Sequence, residues 1–140
     1  DTRRAELEEQ GLLSPLAAGS NVVVHNGVSD EEYAELLEFA HALVTASRAE
    51  GYGLPVVEAQ AAGCPAVISD IDIFREIAPH AVFASVTEDP QADAPAWVEA
   101  IRSLEDDAVR DRVILEGLQD ASHYSWRDSA LKLVRIVRGL

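Results

Sequence analysis

Glu50 and Glu58 stand with seven residues between them, and the intervening stretch is Gly51-Tyr52-Gly53-Leu54-Pro55-Val56-Val57. Carboxylates at such a spacing suit a hydroxyl-rich ligand, because one ionised group accepts charge-assisted hydrogen bonds from two vicinal hydroxyls. Gly51 and Gly53 lack side chains, so backbone N–H groups there can approach an anionic or hydroxylated ligand closely. Pro55 is preset for a first helical turn and Gly63 fits just past a last one, which predicts a helix between them. Its positive end would face the loop, an arrangement favourable to a diphosphate. Glu50 precedes the turn and Glu58 is expected in the first helical turn, so both are placed to face one ligand. A plain strand-to-helix turn has the same make-up, and residue types alone do not choose between the two.

The elements that must position this loop alternate between strand and helix. Asn21-Val22-Val23-Val24-His25 reads as a β-branched strand, His41 to Ala46 as a second, Ala66 to Ser69 as a third and Ala81 to Ala84 as a fourth. The second is apolar on both faces, as buried parallel strands are. Helices are predicted over Asp1 to Gln10, from a Ser29/Glu32 capping box to about Ala40, and from Asp72 to Ala78. Further helices are expected over about Ala94 to Leu104, Asp107 to Ser122, and Trp126 to Arg138 with Ser125 as N-cap. Glu88 to Pro95, with two prolines and three acids, reads as a turn-rich connection. The pattern is α/β: a Rossmann-like parallel sheet flanked by helices. In such sheets ligands bind beyond the carboxyl ends of the strands, which is where the Ser47-to-Leu54 loop falls.

At 140 residues the sequence is one domain at most. The net charge of −14, with 11 Lys+Arg of which Lys132 is the sole lysine, makes nucleic acid or an anionic membrane surface a poor partner. There is no apolar run of the roughly 18 residues a membrane span needs and no basic-then-apolar leader. Cys64 is the only cysteine, so a reducing, cytoplasmic setting and a small buried structural role are expected.

Other chemistry-bearing residues carry weaker signals. Asp70-x-Asp72 has the form of a divalent-metal motif, but its place after a strand suits Asp72 as a helix cap and both as solvated acids. His25, His41, His80 and His123 lack metal-ligand spacing, so no metal site is expected. Trp97 and Trp126 are expected to anchor the core.

The stretch from Ser47 onward resembles the Glu-x7-Glu motif of family-4-type retaining glycosyltransferases with the GT-B fold. Their usual run is Pro-Ser-x-x-Glu-Gly-Phe-Gly-Leu-Pro, two variable residues, then Glu-Ala-x-Ala-x-Gly-x-Pro-Val. Ser47, Glu50, Gly51, Gly53, Leu54, Pro55, Glu58, Ala59, Ala61, Gly63, Pro65 and Val67 keep their types, with Ala66 inserted before Val67. Ala46 stands for the usual Pro, Tyr52 for Phe and Gln60 for Met. Gly27 to Glu32, Ser69 to Glu76 and Tyr124-Ser125-Trp126 extend the resemblance along nearly the whole sequence.

The resemblance implies a nucleotide-diphosphate sugar as donor substrate, with no further cofactor. It implies that Glu50 holds donor-sugar hydroxyls near the reacting carbon and that backbone amides from Gly51 through Tyr52 and Gly53 to Leu54 contact sugar and diphosphate. Glu58 would accept the ribose hydroxyls, and Val28 would lie against the nucleobase. Transfer would proceed with retention, Glu50 acting as a positioning and electrostatic group. The resemblance also implies parts that this sequence lacks: two earlier strands with a cationic loop for the diphosphate, and an N-terminal acceptor domain. On that reading the 140 residues are a partial C-terminal donor domain, inactive alone. In a strand order 3-2-1-4-5-6 the missing pair would lie between the Val22 and Leu43 strands, leaving an apolar edge to be closed by direct pairing or by a second copy. Two other readings compete: a non-catalytic glycosyltransferase-like subunit, and an unrelated α/β phosphate-binding or signalling domain.

Overall fold

The computed structural model describes residue 23 and residues 25–139. The predicted helix Asp1 to Gln10 lies outside the described residues, as does most of the predicted strand Asn21 to His25, whose Val23 and His25 are not in a strand. The described elements run α1 (Asp30–Phe39), β1 (Leu43–Thr45), α2 (Leu54–Ala61), β2 (Ala66–Ser69), α3 (Asp72–Ile77), β3 (Val82–Ala84), α4 (Pro90–Ser103), α5 (Asp107–Ser122) and α6 (Trp126–Arg138). The strands form a parallel sheet in the order β1-β2-β3, with Val44 opposite Val67 and Ile68 opposite Phe83. This is the Rossmann-like arrangement predicted from the alternation of elements.

Burial explains the layering. All four residues of β2 are buried, because helices cover both faces. Ala66 and Ile68 pack with Val56 of α2 and with Phe74 and Ile77 of α3. Val67 faces Ala100 and Leu104 at the end of α4 and Val113 of α5. α1 closes the back of α2 through Leu37, Ala59 and Cys64, so Cys64 has the buried place expected of it. Burial pushes the Cys64 thiol pKa up, which keeps it protonated and unreactive.

Local chemistry sets the helix ends. Ser29 Oγ accepts from the Glu32 amide and the Glu32 carboxylate accepts from the Ser29 amide, the predicted capping box. α2 stops as the glycine requires: with Gly63 at φ +71°, its N–H donates to Gln60 O at 3.0 Å and the Cys64 N–H to Ala59 O at 2.8 Å. Those two bonds are a Schellman motif. Ser125 caps α6, accepting from the Asp128 amide.

Three expectations need correction. α4 begins at Pro90, inside the stretch read as a turn: Asp89 caps it, Pro90 occupies a first-turn position that loses no hydrogen bond, and Pro95 lies on the exposed side. The buried Asp93 carboxylate fastens this start, accepting from the Thr87 N–H at 2.6 Å and its hydroxyl at 2.9 Å. Asp72 does not cap α3: the N-cap is Ile71, with no side-chain bond, and Asp72 is the first helical residue. Trp97 does pack on the second core cluster and donates Nε1–H to Ser85 O at 2.9 Å, but Trp126 is 81% exposed. Trp126 heads an apolar stripe with Leu133, Val134 and Val137 that nothing among the described residues buries. β1 lies at the sheet edge among the described residues, with Val44 half exposed.

Candidate functional site

The loop from Ala46 to Gly53 leaves the carboxyl end of β1 and enters α2, the position at which parallel sheets place ligands. Its base is tied to the sheet: Ser69, fully buried at the end of β2, directs its hydroxyl to Thr45 O at 3.4 Å. Ser47 Oγ donates to Glu50 Oε1 at 2.6 Å. Glu50 itself is exposed, so its second oxygen is open to solvent and ligand. Arg48 turns the other way, to an ion pair with Glu88 Oε2 at 2.8 Å in the segment after β3.

The two loop glycines prove different in kind. Gly53 is the N-cap of α2 at φ +79°, and a Cβ there would lie 2.8 Å from both Phe74 Cε1 and Ile77 Cδ1. That glycine is required by backbone conformation and by close packing of α3. Gly51 has nothing within 4 Å of a Cβ position and no positive φ, so nothing in the described packing demands glycine there.

α2 starts at Leu54, one residue before Pro55, which makes Glu58 its fifth residue, in the second turn rather than the first. Glu58 is exposed and lines a pocket of about 410 Å³ together with Tyr52, Leu54, Val57, Tyr124 and Trp126. Tyr52 meets Tyr124 edge-on, with ring centroids 6.0 Å apart and planes at 89°, the preferred geometry for facing quadrupoles. The Tyr124 hydroxyl pKa is raised, by burial first and then by Tyr52, Glu76 and Asp120. On the other side of Glu58, α1 presents Tyr33, whose hydroxyl pKa is raised by burial and then by the Glu58 charge and a hydrogen bond to it.

The structure therefore groups the sequence-predicted residues unevenly. Tyr52, Leu54 and Glu58 share one pocket. Glu50 stands at the loop with Ser47, outside that lining, and Gly51 and Gly53 also do not line it. Val28 lines a different cavity, of about 500 Å³, with His25, Glu32 and Phe39. Tyr124, which lines the pocket, and Tyr33, which meets Glu58 from α1, were missed as site residues. Tyr124 had a signal in its Tyr-Ser-Trp context; Tyr33 had none, since its closeness to Glu58 arises from helix packing.

Asp70 and Asp72 do not act as a pair. Asp70 binds Arg75 through both oxygens, at 2.5 and 2.7 Å, and Arg75 stacks 5.1 Å from the Phe83 ring centroid. Among the described residues no cluster of three or more His, Cys, Asp or Glu has metal-binding geometry. The hydrogen bond from Arg75 holds the Asp70 carboxyl below the usual carboxylate range; burial opposes it, and the Arg75 charge adds a smaller lowering. Because the folded value is the lower one, the pair's contribution is complete above about pH 4 and is lost as pH falls through the folded value. A carboxyl ¹³C titration should place Asp70 below ordinary aspartates, and Arg75→Ala should return it toward about 3.9. An unchanged midpoint in the variant would refute the coupling.

The family model for glycosyl transferases group 1 matches residues 6–119. D-inositol 3-phosphate glycosyltransferase 1 from Catenulispora acidiphila is 31% identical over 128 residues, 91% of this chain and 30% of that protein. O-antigen chain mannosyltransferase B of Escherichia coli is 30% identical over 107 residues, 76% of this chain and 27% of that protein. The solved sucrose-phosphate synthase of Thermosynechococcus elongatus superposes with a TM-score of 0.78 at 26% identity, covering 94% of this chain and 33% of that one. The chain thus spans about a third or less of the length of these relatives. None of the described helices is long and apolar enough to cross a membrane. With a parallel Rossmann-like sheet of the GT-B kind and a family match over most of its length, the chain belongs to the glycosyl transferases group 1 family.

Proposed function

We propose that this chain forms the donor-binding half of a retaining glycosyltransferase that takes a sugar from a nucleotide-diphosphate sugar. The observation that carries this reading is the Glu50-to-Glu58 loop at the carboxyl end of the parallel strand β1, with Glu58 at a pocket and Glu50 held at the loop. Glu58 accepts the ribose hydroxyls, Glu50 holds hydroxyls of the sugar, and the amides of Gly51 to Leu54 meet sugar and diphosphate. Val28 supports the base. In a front-face reaction the bond from the anomeric carbon to the phosphate oxygen breaks. The acceptor oxygen then bonds to that carbon on the same face, and its proton passes to the departing phosphate oxygen. Glu50 contributes by fixing the sugar in that geometry. The acceptor domain and the cations for the diphosphate belong to other parts of the full-length protein, and these 140 residues are inactive without them. The relatives named as mannosyltransferase and inositol-phosphate glycosyltransferase support the class of reaction. The buried lone Cys64 fits a cytoplasmic setting.

Calorimetric titration of the full-length protein with GDP-mannose and UDP-glucose tests this reading. One of the two should bind, and Glu58→Ala should weaken it about 10- to 100-fold, the loss of hydrogen bonds to a charged group. Unchanged affinity in Glu58→Ala would overturn the ribose assignment, and no binding of any sugar nucleotide would overturn the function.

A further inference from the structure

Glu50 sits on an exposed loop, where a glutamate side chain ordinarily samples many rotamers. Here one of its oxygens is taken: Ser47 Oγ lies 2.6 Å from Oε1, a short charge-assisted contact, in a loop stretch of three residues' separation. A serine hydroxyl has one proton, and this one is committed to the carboxylate. The longer contact behind it, Thr45 Oγ1 to Ser47 Oγ at 3.4 Å, therefore has Thr45 as donor. Thr45 ends β1, and its carbonyl in turn takes the hydroxyl of the fully buried Ser69 at the end of β2. Thr45 is thus tied to the adjacent strand through its carbonyl, and its hydroxyl and that of Ser47 lead outward from the strand end to an exposed carboxylate. The Ser47 contact fixes which Glu50 oxygen is occupied and which is open.

We propose that Ser47 is the positioning residue for Glu50: it clamps Oε1 so that Oε2 is the oxygen presented to the ligand's hydroxyls. The inference rests on the donor-site reading above and adds a residue and a direction to it. Ser47 touches no reacting atom in this account; it acts only through Glu50. Threonine at the same position keeps the hydroxyl, whereas alanine removes it without disturbing a buried core.

The test is a kinetic cycle on the full-length protein, with GDP-mannose and UDP-glucose as probes and released nucleoside diphosphate as readout. Ser47→Ala should lower kcat for cleavage of the active donor about 10- to 100-fold, the scale of a misplaced positioning group. KM and the affinity for the plain nucleoside diphosphate should stay within about twofold, and Ser47→Thr should restore most of the rate. In a Glu50→Gln background, adding Ser47→Ala should cost less than about threefold more, because the two residues act as one unit. Full activity in Ser47→Ala, failure of threonine to rescue, or multiplicative losses in the double variant would each overturn the assignment of Ser47. Failure of the donor-site reading has its own signature: Glu50→Gln as active as the parent, or no turnover of either donor.

Discussion

Gly53→Ala is expected to destabilise the fold by about 2–4 kcal/mol, read as a lowered midpoint in urea or heat denaturation. Two costs add at this residue. Its φ of +79° lies in the left-handed region, where a Cβ costs about 1 kcal/mol or somewhat more. The added methyl would also lie 2.8 Å from carbons of Phe74 and Ile77, both buried and both members of the cluster that seats α2 and α3 on β2. Phe74 and Ile77 are 1% and 2% exposed, and interiors pack near crystal density, so retreat would disturb the core. Gly51→Ala is the matched control. It meets open space at an ordinary φ, so its melting midpoint should stay within about 0.5–1 kcal/mol of the parent. If the two alanines proved equally costly, close packing at Gly53 would not be the cause. The contrast also bears on binding: a loss of sugar-nucleotide affinity in Gly51→Ala without a loss of stability would point to close backbone approach at that residue.

Asp120→Ala is the second change expected to cost heavily, about 2–3 kcal/mol. Asp120 is 7% exposed and sits on α5, where its carboxylate accepts from three donors. His80 Nδ1 lies at 2.9 Å, the His80 amide at 3.3 Å and the Gln60 side-chain amide at 3.5 Å. Gln60 is buried in α2 against Gly117, and its Oε1 has no partner among the described residues. Removing the carboxylate leaves both ends of a buried amide unmet, the costly half of the hydrogen-bond asymmetry. The rescue follows from the same argument. Gln60→Met, the residue type usual in the resembling motif, deletes the orphaned amide at similar volume. The double variant Gln60→Met/Asp120→Ala should therefore recover most of the loss in a urea melt. If the double variant were no more stable than Asp120→Ala, the penalty would lie with His80 rather than Gln60.

Much of this fold was legible because local chemistry and tertiary packing ask for the same thing. Ala66 to Ser69 is apolar, short and bounded by Pro65 and Asp70, and the observed strand has those ends. Ser29 with Glu32, Ser125, and Gly63 each mark a terminus through a bond made within a few residues. The prolines of α4 misled because a proline at a helix start and a proline in a turn look alike without Asp89 and Asp93 in place. Asp72 misled because it is the first residue inside α3, so the cap position falls on Ile71, whose side chain cannot accept a hydrogen bond. Within the site, the loop and its carboxylates were visible from spacing. Ser47, the partner of Glu50, is local, but Tyr33 beside Glu58 was not visible, since it lies 25 residues earlier, just as His80 lies 40 before Asp120 in the buried network. Contacts of that range depend on which helix faces pack together, and no local pattern encodes them.

The uncovered stripe of α6 has a thermodynamic meaning for the pocket beside it. A 13-residue helix with no buried residue draws little stability from tertiary contact, and isolated helices of that length are marginal in water. Its backbone amides should therefore open at far lower cost than those of β2, giving fast hydrogen exchange in one and slow exchange in the other. Yet Ser125, Trp126 and Ser129, at the start of this helix, form a wall of the cavity that Glu58 also lines. One side of that cavity is thus secured by α2, which packs on β2, and the other by the first turn of an exposed helix. Anything that fills the space spends part of its binding energy on ordering that turn, and its occupancy is written in the exchange rates of α6.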